Sequence, residues 1–519
     1  MKALLMHRDR DFDPQRKLPW HAPAAAQDLE LETLLRAMAG EDKFLLEVAR
    51  KAVLAGLKNE IDIDTILYRQ EIMQDCLKNP AIVKRLYDLA LEAITRAKGD
   101  YWSFSSRHPG LILSGAIRAL EIFTDVLRKL RSVAERHGER FESRGFTALF
   151  ATLTKELSDE YVASVENHLA ELKFRQGVLL SAELGKGNES ANYLLRKARE
   201  QTKNWLARLL RKSPRGYTFR LHPRDEAGGR ILSEMQDRGI NLVANAVGQS
   251  RDHVLSFFGT LRTELAFYLG CLNLHARLAS MGEPICFPRP EPVGARRQRY
   301  RELYDVCLAL TMGRRVVGNA ADIDGKSLVL IAGANQGGKS TFLRSVGLAQ
   351  LMMQCGMFVG AESFSAELCT SLFTHFKREE DPTMKSGKLD EELGRMSEIA
   401  DEIAPDSLLL CNESFAATNE REGSGIARQI VSALLEKRVK IFFVTHLYDF
   451  ARGFFESKLP AAMFLRAQRK ADGRRTFRVV EGEPLETSYG EDLYREVFGP
   501  EAEAEPAAPK KLAAKRAFK

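Results

Sequence analysis

Ser327-Leu-Val-Leu-Ile-Ala-Gly333-Ala-Asn-Gln-Gly-Gly338-Lys339-Ser340-Thr341 decides how this chain is read. An apolar run rich in leucine and β-branched residues ends in a glycine, and GxxxxGKS follows. Phe342, Val346 and Met353 then recur at helical spacing. Strand, glycine-rich loop and helix in that order make a P-loop in its required context. Small residues let the backbone N–H groups of Gly337, Gly338 and Lys339 close around phosphate oxygens, helped by the positive end of the helix. Gly333, Ala334, Asn335, Gln336, Gly337, Gly338, Lys339, Ser340 and Thr341 are the expected nucleotide contacts. Lys339 is expected at the β- and γ-phosphates, and the Ser340 hydroxyl at Mg²⁺.

Working outward, the 519 residues leave room for several domains, and 45% hydrophobic with 28% charged is ordinary for a soluble protein. No apolar run approaches the ~20 residues of a membrane span. His7-Arg8-Asp9-Arg10 comes too early for a signal peptide, so a cytoplasmic location is expected. Seven scattered cysteines without CxxC pairing read as reduced core thiols. A net charge of +7 permits nucleic acid without requiring it.

Residues 1–27, rich in Pro and Ala, read as a loose lead-in. From Asp28 to about Gly282 the pattern is helical almost throughout. Leu113, Ile117, Leu120, Phe123, Leu127 and Leu130 form one stripe, and Phe150, Leu153, Leu157, Tyr161, Val165, His168 and Leu172 another. The longest runs from Met235 to Leu278. Spacing of three and four marks amphipathic helices, whose stripes are core packing. Between Arg196 and Arg230 a basic segment intervenes. Arg211, Lys212, Arg215 and Arg220 lie in it, with Trp205, Tyr217 and Phe219 interleaved. Such a break could grip a phosphate backbone or be a solvated face, and its composition fits both. Pro284, Pro288, Pro290 and Pro292 suggest a domain linker, after which an α/β pattern runs to about Phe498. Residues 499–519, poor in apolar residues and ending in lysines and an arginine, are expected to be disordered.

A P-loop needs a second strand ending in acidic residues, and Ser407-Leu-Leu-Leu-Cys411-Asn412-Glu413 supplies a version. Asn412 stands where an Asp usually holds the metal. Its oxygen can still orient a metal-bound water, so weakened Mg²⁺ affinity is expected rather than a dead site. Glu413 is the residue to position attacking water. Ile441-Phe-Phe-Val-Thr445-His446 is another buried strand, whose terminal histidine would sense a γ-phosphate. Ser386 and Gly387 open a polar helix whose amides could meet a phosphate, including one held by another subunit.

The order of these motifs resembles the MutS family of mismatch-repair ATPases, an ABC-type P-loop class. The matching residues are the loop 333–341, Phe358-Val-Gly-Ala361, Phe373-Thr-His-Phe376 before Glu379-Glu380-Asp381, and the Ser386-Gly387 helix. They continue with Asn412-Glu413, Thr418-Asn419-Glu420-Arg421-Glu422-Gly423, Thr445-His446 and Ser488-Tyr489-Gly490. The resemblance implies an ATP·Mg²⁺ site at Lys339 and Ser340, Glu413 aligning water, and His446 as switch histidine. It gives Ser386-Gly387 a signature role across a dimer, and makes Asn319 a base contact. No Phe-x-Glu precedes the P-loop, so a phenylalanine wedge beside a mispair is not expected. No nuclease domain is recognisable at the C-terminus.

The expected fold is α + α/β, a long-helix core and lever domain over 28–295 followed by an ABC-type P-loop ATPase domain over 296–498. The expected function is a dimeric, ATP-dependent clamp on mismatched or branched DNA, with Arg211, Lys212, Arg215 and Arg220 on the backbone. The rival is a nucleotide-switched protein scaffold that does not bind DNA.

Overall fold

Apolar stripes at helical spacing make the first part of the chain helical, and continuous apolar runs make the later part a parallel sheet. A computed structural model describes residues 1–58, 60–98, 108–175, 177–197, 217–218, 220–333, 337–378, 387–469 and 475–485. They fall into two compact units. One comprises described residues of Met1–Ala295, Val306–Val316 and Leu348–Leu368; the other those of Arg296–Asp305, Val317–Gly347 and Cys369–Lys519. Among the described residues no helix is long and apolar enough to cross a membrane.

In the first unit the principal helices are α1 (Ile63–Lys78), α2 (Pro109–His137) and α3 (Glu226–Ser280). Proline opens α2, where its missing N–H costs nothing. At 55 residues, α3 is about 80 Å long at 1.5 Å per residue. Leu113 and Ile117 of α2 pack with Ile240 and Ala244 of α3. The stripe read from Phe150 to Leu172 is divided. One helix ends at Glu156, and Ser158 caps the next, its hydroxyl accepting the Tyr161 N–H at 3.2 Å. Tyr161 is therefore exposed rather than core.

Three further expectations change. The region is not helical throughout: β1 (Leu180–Leu184) and β2 (Ser190–Leu195) form an antiparallel hairpin. It lies against α3 at Gly239, where a Cβ would come within 2.3 Å of the Leu180 side chain. Nor are the first residues loose. Leu5 and Met6 are fully buried. The Leu5 and Phe12 N–H groups donate to the Glu264 carboxylate at 2.6 and 2.8 Å. Tyr268 and Tyr68 donate to the carbonyls of Leu5 and Leu4, and Arg69 to that of Met6. A buried strap without a sheet partner must satisfy its backbone this way. The proline-rich stretch is likewise paired: Arg289–Glu291 lies parallel to Ser363–Glu367, and Cys286 bridges Val359. Three residues are short enough for Pro290 to be tolerated.

In the second unit a six-stranded sheet runs β8–β7–β3–β6–β5–β4. Its strands in chain order are β3 (Leu328–Ala332), β4 (Leu372–Phe376), β5 (Leu408–Asn412), β6 (Lys440–Val444), β7 (Ala462–Arg469) and β8 (Arg475–Glu481). All pairs are parallel except β7 with β8. Leu328, Leu330, Leu409, Cys411, Ile441 and Phe443 face one core with Met396, Ile399, Val431 and Phe450. Each buried Leu, Ile, Val, Phe or Met among them contributes about 1.5–3 kcal/mol of burial. Register sets the ends of the strands level: Val444 lies opposite both Asn412 and Ile331, and Phe376 opposite Asn412. Whatever follows those residues converges on one edge.

Candidate functional site

At that edge the chain leaves β3 through Gly333, whose φ of +115° favours glycine. Ala334, Asn335 and Gln336 lie outside the described residues. Gly337 and Gly338 lead into α4 (Lys339–Gln354). Gly338 has φ +91°, and a Cβ there would meet the Phe477 carbonyl oxygen of β8 at 3.2 Å. Both glycines are left-handed, and Gly338 leads directly into α4, at whose first turn N–H groups point out of the helix end.

The side chains converge from three strand ends. Lys339 is buried, and its Nζ donates to the Gly333 carbonyl at 2.7 Å. Burial pushes its pKa down to about 8, with Glu413 opposing that shift. Ser340 is exposed, and its Oγ donates to Asn412 Oδ1 at 2.8 Å. One residue on, Glu413 Oε1 pairs with His446 Nε2 at 2.9 Å. That hydrogen bond holds the Glu413 carboxyl below its ordinary range. Burial works against it, and the charge of Lys339 adds to it. The carboxylate is therefore ionised at neutral pH. Lys339, Ser340, Asn412, Glu413 and His446 thus form one constellation of cation, hydroxyl, amide, carboxylate and imidazole.

The remaining predicted residues are placed differently. Thr341 is half-buried in the first turn of α4. Asn319 is buried and its Oδ1 accepts the Val479 N–H at 2.7 Å, so that oxygen is committed to the fold. Gly387 caps α5 (Lys388–Glu402), exposed and extended at ψ 154°. Ser386, Arg211, Lys212 and Arg215 lie outside the described residues, and Arg220 is exposed. Ser340 and Asn412 offer the hydroxyl and carbonyl oxygens that a hard divalent cation prefers.

Sequence reasoning assigned no role to a buried group behind the site. His375 of β4 is fully buried, its Nδ1 2.7 Å from Ser414 Oγ and its Nε2 3.0 Å from the Glu392 carbonyl. Glu392 of α5 accepts the Phe415 N–H at 2.7 Å. Glu392 falls on the same apolar stripe as Leu389, Met396 and Ile399. A carboxylate on a buried face was the available signal.

The arrangement first defines a class: an α/β protein in which a strand–loop–helix of P-loop sequence is completed by polar groups from neighbouring parallel strands. Comparison with known proteins narrows it. Residues 61–281 match the family model of the MutS2 N-terminal domain, and residues 329–512 that of MutS domain V. The chain is 31% identical over 180 residues to the endonuclease MutS2 of Thermus thermophilus, covering 34% of this chain and 23% of that protein. It is 30% identical over 232 residues to the DNA mismatch repair protein MutS of Thermus aquaticus, 44% of this chain and 28% of that one. With MutS protein homolog 4 of Mus musculus it shares 31% over 134 residues, 26% of this chain and 14% of that one. The chain belongs to the MutS family. The matched stretches span only 14% to 28% of these relatives' lengths.

Proposed function

We propose that the chain is an ATP hydrolase whose nucleotide state controls binding to mismatched or branched DNA, acting as a homodimer. The convergence of Lys339, Ser340, Asn412, Glu413 and His446 on one sheet edge carries this reading. Lys339 and the loop amides neutralise phosphate charge. Ser340 and Asn412 hold Mg²⁺, which when bound would offset charge on the phosphate oxygens. Ionised Glu413 accepts a proton from attacking water, and His446 fixes the carboxylate's direction. Asn319 lies beside the base. Ser386 and Gly387, at the start of α5, complete the partner subunit's site.

The helical part, 28–295, is proposed as core and lever, 296–498 as the ATPase domain, and 499–519 as a basic tail. In the segment 196–230, Arg211, Lys212, Arg215 and Arg220 contact DNA phosphates. The MutS relatives named for DNA mismatch repair support this reading, as does the exposure of Arg220.

The test is DNA binding by the full chain to linear, mismatched and four-way-junction duplexes. It is run at two salt concentrations, with ADP or a slowly hydrolysed ATP analogue. Structure-selective binding that changes with nucleotide is expected. ATP-stimulated dimerisation without affinity for any of the three would instead identify a protein scaffold.

A further inference from the structure

The turn after β5 adopts a costly conformation for its sequence. Glu413 and Phe415 both have positive φ, +55° and +64°, and neither is glycine. Bulky L-residues adopt this region only when their surroundings impose it. The surroundings are all in place. The Glu413 N–H donates to the Val444 carbonyl at 2.9 Å. The Ser414 hydroxyl lies 2.7 Å from both the carbonyl and Nδ1 of His375. The Phe415 N–H donates to Glu392 Oε2 at 2.7 Å, and its ring stacks on His375 at 5.5 Å. On the far side Gly423 admits the Phe415 carbonyl, which would be 2.5 Å from a Cβ there.

The hydrogen inventory makes this network directional. A neutral imidazole has one N–H. With Nε2–H donating to the Glu392 carbonyl, Nδ1 is an acceptor and the single Ser414 O–H serves it or the His375 carbonyl. Burial, which pushes the His375 pKa down to about 4, keeps the ring in that neutral form. Glu392 therefore touches the network twice, by its carboxylate at Phe415 and by its carbonyl at His375.

We infer that Glu392 is a positioning residue: from α5 it locks the left-handed turn that aims Glu413 at His446 and the P-loop. The inference rests on the hydrolytic reading above for its kinetic consequence. Glu392 lies five residues beyond Gly387, the cap of α5.

Three variants of the full chain test this: Glu392→Ala, which removes the acceptor, Glu392→Gln, which keeps an acceptor oxygen, and Ser414→Ala, which deletes one buried oxygen and preserves packing should Glu392→Ala not fold. Two readouts are taken. Hydrogen–deuterium exchange at the Phe415 amide, without nucleotide, reads the lock independently of any hydrolysis. Steady-state ATP turnover reads its consequence. Glu392→Ala should exchange at least tenfold faster and lose about tenfold or more in kcat, with KM for ATP within twofold. Glu392→Gln should restore both, and Ser414→Ala should show a smaller loss of the same kind. Unchanged exchange in Glu392→Ala, or faster exchange with unchanged kcat, overturns the assignment. A wild-type chain that neither binds nor turns over ATP refutes the hydrolytic reading instead, and the exchange data still decide whether Glu392 holds the turn.

Discussion

Replacing His446 by Ala is the most direct challenge to the proposed chemistry. In the folded protein His446 Nε2 lies 2.9 Å from Glu413 Oε1, both side chains about a quarter to a third exposed (26% and 30%). It is the leading cause of the lowered Glu413 pKa. A hydrogen bond to a charged group contributes about 1.5–3 kcal/mol net. If that orientation energy is fully expressed in the transition state, its loss slows turnover about 10- to 150-fold, at 1.36 kcal/mol per decade. In the proposed site ATP is held by the loop and Lys339, so KM should move little. His446→Gln, which can still donate one N–H, should recover part of the rate. The assay is phosphate release against ATP concentration, with fluorescent-nucleotide binding and thermal melting as controls. A His446→Ala protein with kcat within twofold of wild type and normal stability would refute the pairing as a catalytic device. A rise in KM with kcat preserved would place His446 in nucleotide binding alone.

Four further outcomes are expected. Asn412→Asp adds a charge at the oxygen that accepts the Ser340 hydroxyl. A unit pair about 4 Å apart is bounded by roughly 4 kcal/mol at an effective dielectric of 20, so the Mg²⁺ half-saturation of turnover should fall, by at most about a thousandfold. An unchanged Mg²⁺ dependence would show that Asn suffices. Leu5→Ala opens a cavity under the N-terminal strap and should cost about 2–5 kcal/mol in denaturant unfolding, where a loss below ~1 would mean the strap is loosely held. His375 has a folded pKa of about 4, below its unfolded value of about 6.5, so the unfolded chain takes up the proton first. Stability should therefore fall from pH 7.5 to 5 by about 2 kcal/mol more in wild type than in His375→Gln, and parallel pH profiles would contradict this. Charge reversal to Glu at Arg211, Lys212, Arg215 and Arg220 should flatten the salt dependence of DNA binding, by about one unit of slope for each phosphate no longer neutralised, measured across a salt series; an unaltered slope would remove these residues from the interface.

Periodicity made much of the fold legible. Continuous apolar runs at 328–332, 408–411 and 441–444, too short for typical helices, read as buried strands, whose polar successors then fall at the sheet edge. That is why Lys339, Ser340, Asn412, Glu413 and His446 could be named together. Local grammar was less fully used. Ser158, Asp159 and Glu160 carry a helix start inside what looked like one stripe, and Gly185-Lys-Gly187 marks the turn between β1 and β2. The hairpin's own strands alternate too weakly to announce themselves amid long helices.

What periodicity could not supply is the partner of a buried polar group. Glu264 and Glu392 show the difficulty from two places in the chain. Each is a carboxylate on the apolar stripe of a helix, beside Leu261, Leu265 and Tyr268 in one case and Met396 and Ile399 in the other. Each accepts main-chain N–H groups from a segment outside regular pairing: Glu264 from Leu5 and Phe12, Glu392 from Phe415. Both segments contain non-glycine residues at positive φ, Leu4 in the strap and Glu413 and Phe415 in the turn. A sequence can show that such a glutamate is misplaced on its stripe, because an unpaired buried charge would cost several kcal/mol. It cannot show which backbone, 23 or 259 residues away, has come to meet it. The misplaced carboxylate is thus a signal that an irregular segment is being held, and at Glu392 the segment held is the one that carries Glu413.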